Sequence, residues 1–312
     1  MCPLARARPL VRAGLAPATI ARYDTAVRRF FDWLSSRQRP RPRNARATDI
    51  ALADYFEYLF ARGGGHGLVD ATFFGMVTLR PELRTQLPVA AKCLKAFTKA
   101  VPTTQRPPIS WSLAVAMAMW LARDRGLDYG VALLLGHDCL LRVSELCKLR
   151  RQDIVWPGDI RVGNEYKGTV IRLPKTKTGL NQSVVIQREG VITSLRMVAG
   201  GRINKDGPLW NFSQRSFTEA FRCARDALHL PSSFTCHSLR HGGATAMFLN
   251  SAPMADIAER GRWRSAKSCS RYIQSARGLM VEVTVQNVAR RLAMEALALP
   301  SLDCAFRVAA RM

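Results

Sequence analysis

The sequence predicts a mainly α-helical protein with one small antiparallel β-sheet, divided into two domains. Three observations carry that prediction. Apolar residues recur at steps of three and four through most of the 312 residues, the period of amphipathic helices. Only two short stretches, 169–173 and 183–186, read as strands, and they flank one turn segment, 175–180. Pro102, Pro107 and Pro108 fall in one tract and make it a stiff, extended linker between a shorter and a longer helical part.

The elements follow in order. Residues 1–15 form a basic arm, with arginine and no acid before Asp24. That composition suits a transit peptide and a DNA-binding arm equally. Ile20, Tyr23, Val27, Phe30, Phe31 and Leu34 then outline a helix, with Thr19 as its cap and Arg22, Arg28 and Arg29 off the apolar stripe. The tract 37–43, which holds Arg41 and Arg43, alternates arginine with proline and reads as a basic loop. A second helix begins at Thr48 and Asp49 and ends before the glycines at 63–65. Helices near 68–79 and 88–100 complete a helical domain over 16–101, and the linker covers 102–109. The second domain, 110–279, opens with helices near 110–124 and 127–141 and a short helix at 143–149. After the two strands come helices near 190–199, 213–229, 237–250, 253–260 and 265–275. A tail, 280–312, carries an amphipathic helix near 283–297.

Charge narrows the partner. Lysine and arginine number 47 against 23 acids, a net charge of +24. An excess of this size on a folded chain points to a polyanion, nucleic acid before an acidic membrane surface. Solubility alone is a weaker account, because mixed or acidic surfaces serve it as well. No apolar stretch has the length of a membrane span, so no membrane partner is expected. The eight cysteines show no C-x-x-C pair and no zinc-like Cys/His spacing. They read as reduced, buried thiols of an intracellular protein.

Four segments of the second domain offer side chains suited to phosphate chemistry. They are Arg142-Val143-Ser144-Glu145, Lys175-Thr176-Lys177-Thr178-Gly179, His237-Ser238-Leu239-Arg240-His241, and Trp263 followed nine residues later by Tyr272. Each alone has an ordinary structural reading: a helix cap, a solvated turn, two side chains on one helical face, a packed aromatic. Their order and spacing resemble the tyrosine recombinase, or phage integrase, family over roughly residues 130–275.

The resemblance implies a helical core-binding domain followed by an α+β tyrosine-recombinase catalytic domain. It implies a site-specific DNA recombinase, integrase or mobile-element transposase that cleaves and rejoins strands through a 3′-phosphotyrosyl intermediate. Tyr272 would be the nucleophile. Arg142 and Arg240 would grip the non-bridging phosphate oxygens. Lys177 would protonate the departing 5′ oxygen, with Lys175 as the alternative. His237 would take the tyrosine proton or hold the phosphate. The family more often has histidine at Trp263, whose indole N–H can still donate to phosphate but cannot act as acid or base. Glu145 would orient Arg142 or His237. His241 falls beyond the face shared by His237 and Arg240 and reads as a structural, hydrogen-bonded histidine. No metal or other cofactor is implied, because two arginines and a lysine supply the positive charge.

Double-stranded DNA is the implied partner, held by phosphate contacts from both domains closing as a clamp. The expected contacts in the helical domain are Arg22, Arg28, Arg29, Arg41 and Arg43; in the second domain they are Lys175 and Arg215. The resemblance also implies homo-oligomers, tetramers on DNA, in which the tail docks on a neighbour. The tail is equally consistent with a helix packed on its own domain. The location is with DNA inside the cell: the nucleus in a eukaryote, the cytoplasm or nucleoid in a prokaryote. Two other readings stand beside recombinase: a type IB topoisomerase and a non-catalytic DNA-binding relic. The helical first domain favours recombinase over topoisomerase, and the full residue set opposes decay.

Overall fold

The computed structural model describes residues 3–101, 106–159, 167–176, 179–200, 206–284 and 287–310, with backbone alone at 6, 175 and 281–284. The chain forms two compact units, Met1–Gln105 and Arg106–Met312.

The first unit is helical. A 3-10 turn at Pro3–Arg6 precedes α1 (Pro9–Ala13), α2 (Pro17–Ser36), α3 (Ala45–Ala61), α4 (His66–Leu79) and α5 (Pro88–Ala100). Pro17 opens α2 because its fixed φ suits the first helical position. Thr19 therefore lies inside the first turn and is not the cap. The α3 helix likewise starts ahead of Thr48, because the Asn44 side chain accepts from the Ala47 N–H at 2.8 Å. Asp49 serves another helix: its carboxylate accepts from the N–H groups of Val89 and Ala90, at the start of α5. Val27, Phe30, Leu34, Leu52, Phe56, Val69, Met76 and Leu83 form the core. The segment expected as a basic arm packs on this unit. Leu4 is buried, and its N–H donates to Asp24 Oδ1 at 3.1 Å.

The second unit is built around α6 (Trp111–Asp124) and α7 (Leu127–Asp138), which pack against each other. Every residue of α7 from Gly130 to Asp138 is buried, so this helix is apolar on nearly all faces. A short α8 (Val143–Leu146) follows. The sheet is antiparallel in the order β1 (Ile154–Val155), β2 (Val170–Lys175), β3 (Leu180–Val185), with Ile171 opposite Val184 and Lys175 opposite Leu180. Two residues are too few for β1 to show a period in the sequence. Then come α9 (Glu189–Gly200), α10 (Gln214–Ala227), α11 (Cys236–Leu249), α12 (Met254–Gly261), α13 (Ala266–Ser270), α14 (Ser275–Thr284), α15 (Asn287–Leu297) and α16 (Leu302–Ala309).

Two features of this unit set up the site. The α11 helix lies close against the chain entering α6. Ile109 N–H donates to Ser238 O at 3.1 Å, and a Cβ at Gly242 would fall 1.8 Å from the Ile109 carbonyl oxygen. Only glycine permits that approach. The tail packs on its own unit, α15 on α6 and α16 on α9 and α6, with Ala289, Ala293 and Phe306 in the main core. The α16 helix was not expected.

Candidate active site

The chain between α7 and α8 places the first arginine. Leu140 adopts the left-handed conformation, φ 50°, and turns the chain out of α7. Arg142 caps α8: its backbone N–H donates to Glu145 Oε2 at 3.0 Å, and its Nη1 donates to Oε1 at 2.5 Å. Glu145 is buried and also accepts from Arg262 Nη2 at 3.0 Å. Burial opposes its ionisation. The Arg142 N–H and the two guanidiniums outweigh burial and hold the carboxyl below its usual range. Glu145 thus contacts Arg142 at both its main chain and its guanidinium. Its second partner is Arg262 and not His237.

The α11 helix carries the next three residues. Residues three and four apart share a helical face. His237, Arg240 and His241 therefore lie together, and the two imidazoles sit 5.2 Å apart. The expectation that His241 lies off this face is corrected. Arg240 is fully buried. Its Nη1 and Nη2 donate to the carbonyls of Leu140 and Gly261, and its guanidinium carbon lies 4.4 Å from the Trp263 ring centre. Burial first, then Arg142 and Arg262, push its pKa down to about 9.

Trp263 follows α12 directly. A Cβ at Gly261 would overlap the indole, 1.8 Å from Cζ3, so this helix end requires glycine. Trp263 Nε1 and Arg240 Nε are buried donors with no acceptor among the described residues. Buried donors are almost always satisfied in a finished structure. Three guanidiniums, Arg142, Arg240 and Arg262, surround one carboxylate. Unsatisfied donors and excess positive charge together describe a site suited to an anion.

Tyr272 closes the constellation. The expected helix over 265–275 is shorter: α13 ends at Ser270, and Tyr272 lies in the turn beyond it, its N–H donating to Cys269 O. The Tyr272 hydroxyl lies 3.0 Å from His237 Nε2. Its ring stacks on His241 at 4.5 Å and meets Trp263 at 4.6 Å. Thr245 Oγ1 donates to Tyr272 O and accepts from Gln274 N–H. The Gln274 amide donates to His241 Nδ1 and to Arg106 O, both at 3.0 Å. Burial pushes His237 and His241 down to about 4; neighbouring His241 and arginines reinforce this for His237, arginines alone for His241. Both are therefore neutral at neutral pH, and His237 Nε2 can accept the phenol proton.

Six expected residues thus fall together: Arg142, Glu145, His237, Arg240, Trp263 and Tyr272, with His241 beside them. Arg262, Thr245 and Gln274 were not anticipated. Lys177 lies outside the described residues. Lys175 ends β2, and its side chain is not described.

The expected DNA contacts divide. Arg22 pairs with Asp70 at 3.4 Å and Arg28 with Asp24 at 2.7 Å, so part of their charge is used within the unit. Arg41 lies over Phe31 at 4.6 Å. Arg29 and Arg43 are exposed in the first unit, as is Arg215 in the first turn of α10 in the second. Among the described residues, no group of three or more His, Cys, Asp or Glu is placed to hold a metal ion, and no helix is long and apolar enough to cross a membrane.

Known proteins are similar to this chain in family and fold. The Phage integrase family model matches residues 122–278, just over half of the chain. Three solved structures share the fold. The Tn1549 transposon integrase, in complex with circular intermediate DNA, is 13% identical, with 74% of this chain and 84% of that one covered and a TM-score of 0.56. A lambda integrase dimer bound to a COC′ core site is 17% identical, with coverage of 86% and 74% and a TM-score of 0.59. The XerH site-specific recombinase bound to a palindromic difH substrate is 11% identical, with coverage of 81% and 75% and a TM-score of 0.60. No curated protein matches the chain.

Proposed function

The chain belongs to the phage integrase family, and we propose that it is a site-specific DNA recombinase whose covalent step occurs at Tyr272. The observation that carries the reading is the 3.0 Å contact of the Tyr272 hydroxyl with His237 Nε2, beside the buried guanidinium of Arg240. A neutral imidazole at that distance is placed as a general base.

The step follows from the residues. Tyr272 Oη attacks a backbone phosphorus, and its proton passes to His237 Nε2. The bond from phosphorus to the 5′ oxygen breaks, and that oxygen leaves as a hydroxyl after protonation. Lys177 is the proposed acid and Lys175 its alternative. The phosphodiester energy is kept in a 3′-phosphotyrosyl bond, so a 5′-hydroxyl of another strand reverses the chemistry. Arg142 holds one non-bridging oxygen. Arg240 contributes Nε, because both its Nη atoms are occupied by carbonyls, and Trp263 contributes Nε1. Donors fixed in advance stabilise the charge that grows on the phosphorane.

The partner is double-stranded DNA, and the protein acts wherever that DNA lies, nucleus or nucleoid. The lambda integrase neighbour is a dimer on its core site, and XerH is bound to a palindrome. Both support a homo-oligomer on DNA, with a tetramer as the full strand-exchange assembly. The test is a pool of randomised duplexes carrying a nick that traps the covalent complex. Wild type is expected to form an adduct that survives denaturation, and Tyr272→Phe none. No adduct from wild type contradicts the reading, as does one that persists in Tyr272→Phe. Supercoil relaxation by a monomer, without strand exchange, assigns a topoisomerase instead.

A further inference from the structure

Arg262 stands in an unusual place. It ends α12 in the left-handed conformation, φ 56°, a position that glycine fills freely and other residues only under strain. Its side chain is nevertheless almost fully buried, 3% exposed. A long cation in a strained backbone position and out of water is unfavourable on both counts. An arginine in that place needs compensating contacts.

Arg262 makes them. Nη2 donates to Glu145 Oε2 and to Leu140 O, and Nη1 donates to Arg260 O. Two of these acceptors are shared with the arginines that would hold the phosphate. Glu145 accepts Arg142 Nη1 on its other oxygen. The Leu140 carbonyl also accepts Arg240 Nη1. Leu140 is itself left-handed, so two strained residues converge on one carbonyl and one carboxylate. Nη2 makes both contacts while Nη1 is held on the Arg260 carbonyl, so the planar guanidinium is fixed by three acceptors at once, which a lysine ammonium on a flexible stem does poorly.

We propose that Arg262 is a positioning residue: through Glu145 and the Leu140 carbonyl it fixes Arg142 and Arg240 relative to each other, and so sets the width of the phosphate clamp. In this role Arg262 acts through those two partners. The inference rests on the covalent reading above, and it assigns a function to a residue outside the motifs that carry that reading.

The experiment measures single-turnover adduct formation on the nicked duplex pool at saturating DNA, with DNA affinity and melting followed in parallel. Arg262→Gly suits the backbone and deletes the fork. Adduct formation is expected to slow by about a hundredfold, the effect of a displacement near 1 Å at a reacting centre. DNA affinity is expected to stay within a few-fold of wild type. Arg262→Lys is expected to recover only part of the rate. Arg262→Gly combined with Glu145→Gln is expected to be no slower than the slower single variant, because both break one linkage. If Arg262→Gly fails to melt cooperatively, the cycle is run with Arg262→Lys.

The inference is overturned if Arg262→Gly forms adduct at the wild-type rate. It is also overturned if the loss lies wholly in DNA affinity, or if the two substitutions multiply. Absence of a wild-type adduct overturns the covalent reading and the inference together. A wild-type adduct with an unimpaired variant overturns the inference alone.

Discussion

The phenol of Tyr272 touches an imidazole on its hydroxyl, a second imidazole on its face and an indole at its edge. In the proposed reaction His237 is the proton acceptor, and it sets the response to pH. With His237 held near 4, single-turnover cleavage should stay flat as the pH falls from 7 to 5 and drop only on approach to 4. A rate that halves near pH 6.5 would show an imidazole in ordinary water instead. Stability follows the same groups. His137, His237 and His241 all titrate at about 4 when folded, against an ordinary histidine value of 6.5 once unfolding exposes them to water. Between those values the unfolded chain binds protons that the folded chain does not, so unfolding takes protons up. The melting temperature should therefore fall as the pH drops from 6.5 toward 4, measured by calorimetry at constant ionic strength. The sequence made Arg142, His237, Arg240, Trp263 and Tyr272 legible because their types and spacing form a recognisable order. Arg262, Thr245 and Gln274 were not legible, because their roles depend on a helix end, a turn and a neighbouring carbonyl that no spacing reports. One signal was present: a helix ending Gly261-Arg262-Trp263 puts a long cation where a small C-terminal residue is expected.

Helix ends and glycine contacts do the positioning at the next scale. Gly242 lets α11 approach the Ile109 carbonyl, and α11 carries His237, Arg240 and His241. Gly242→Ala should destabilise the second unit by about 1–3 kcal/mol, the range for overpacking, and reduce adduct formation with it. Denaturant unfolding measures the first and the trapped substrate the second. In the tail, Phe306 is buried against the main core. Phe306→Ala should cost about 3–5 kcal/mol by the same unfolding measurement. A negligible effect would mean that α16 docks elsewhere in solution. The helical class, the hairpin and most helix centres were legible from apolar period. Boundaries were not: Pro17 and Asn44 start helices ahead of the residues that looked like caps, and α13 stops two residues short of Tyr272. Caps and proline act through local backbone geometry, which a hydrophobic period does not encode.

Across the whole chain, the net charge of +24 is the property that meets DNA before any motif does. Affinity for random duplex should fall steeply and linearly in a plot of log K against log salt. Arg29→Ala should lower that slope by about one, as expected for a lost phosphate contact. Arg28→Ala should lower it less, because Asp24 already neutralises that charge. Charge made a polyanionic partner legible and the motifs made it DNA, but neither gave the site it prefers, because phosphate contacts carry no sequence information. The central claim is narrower than DNA binding: one tyrosine of this chain becomes covalently joined to DNA. It is tested most directly by trapping the adduct, digesting both components and locating the nucleotide-bearing peptide by mass spectrometry. A nucleotide on Tyr272, linked through a 3′ phosphate, is the predicted result. A nucleotide on any other residue, or a link through a 5′ phosphate, would contradict it.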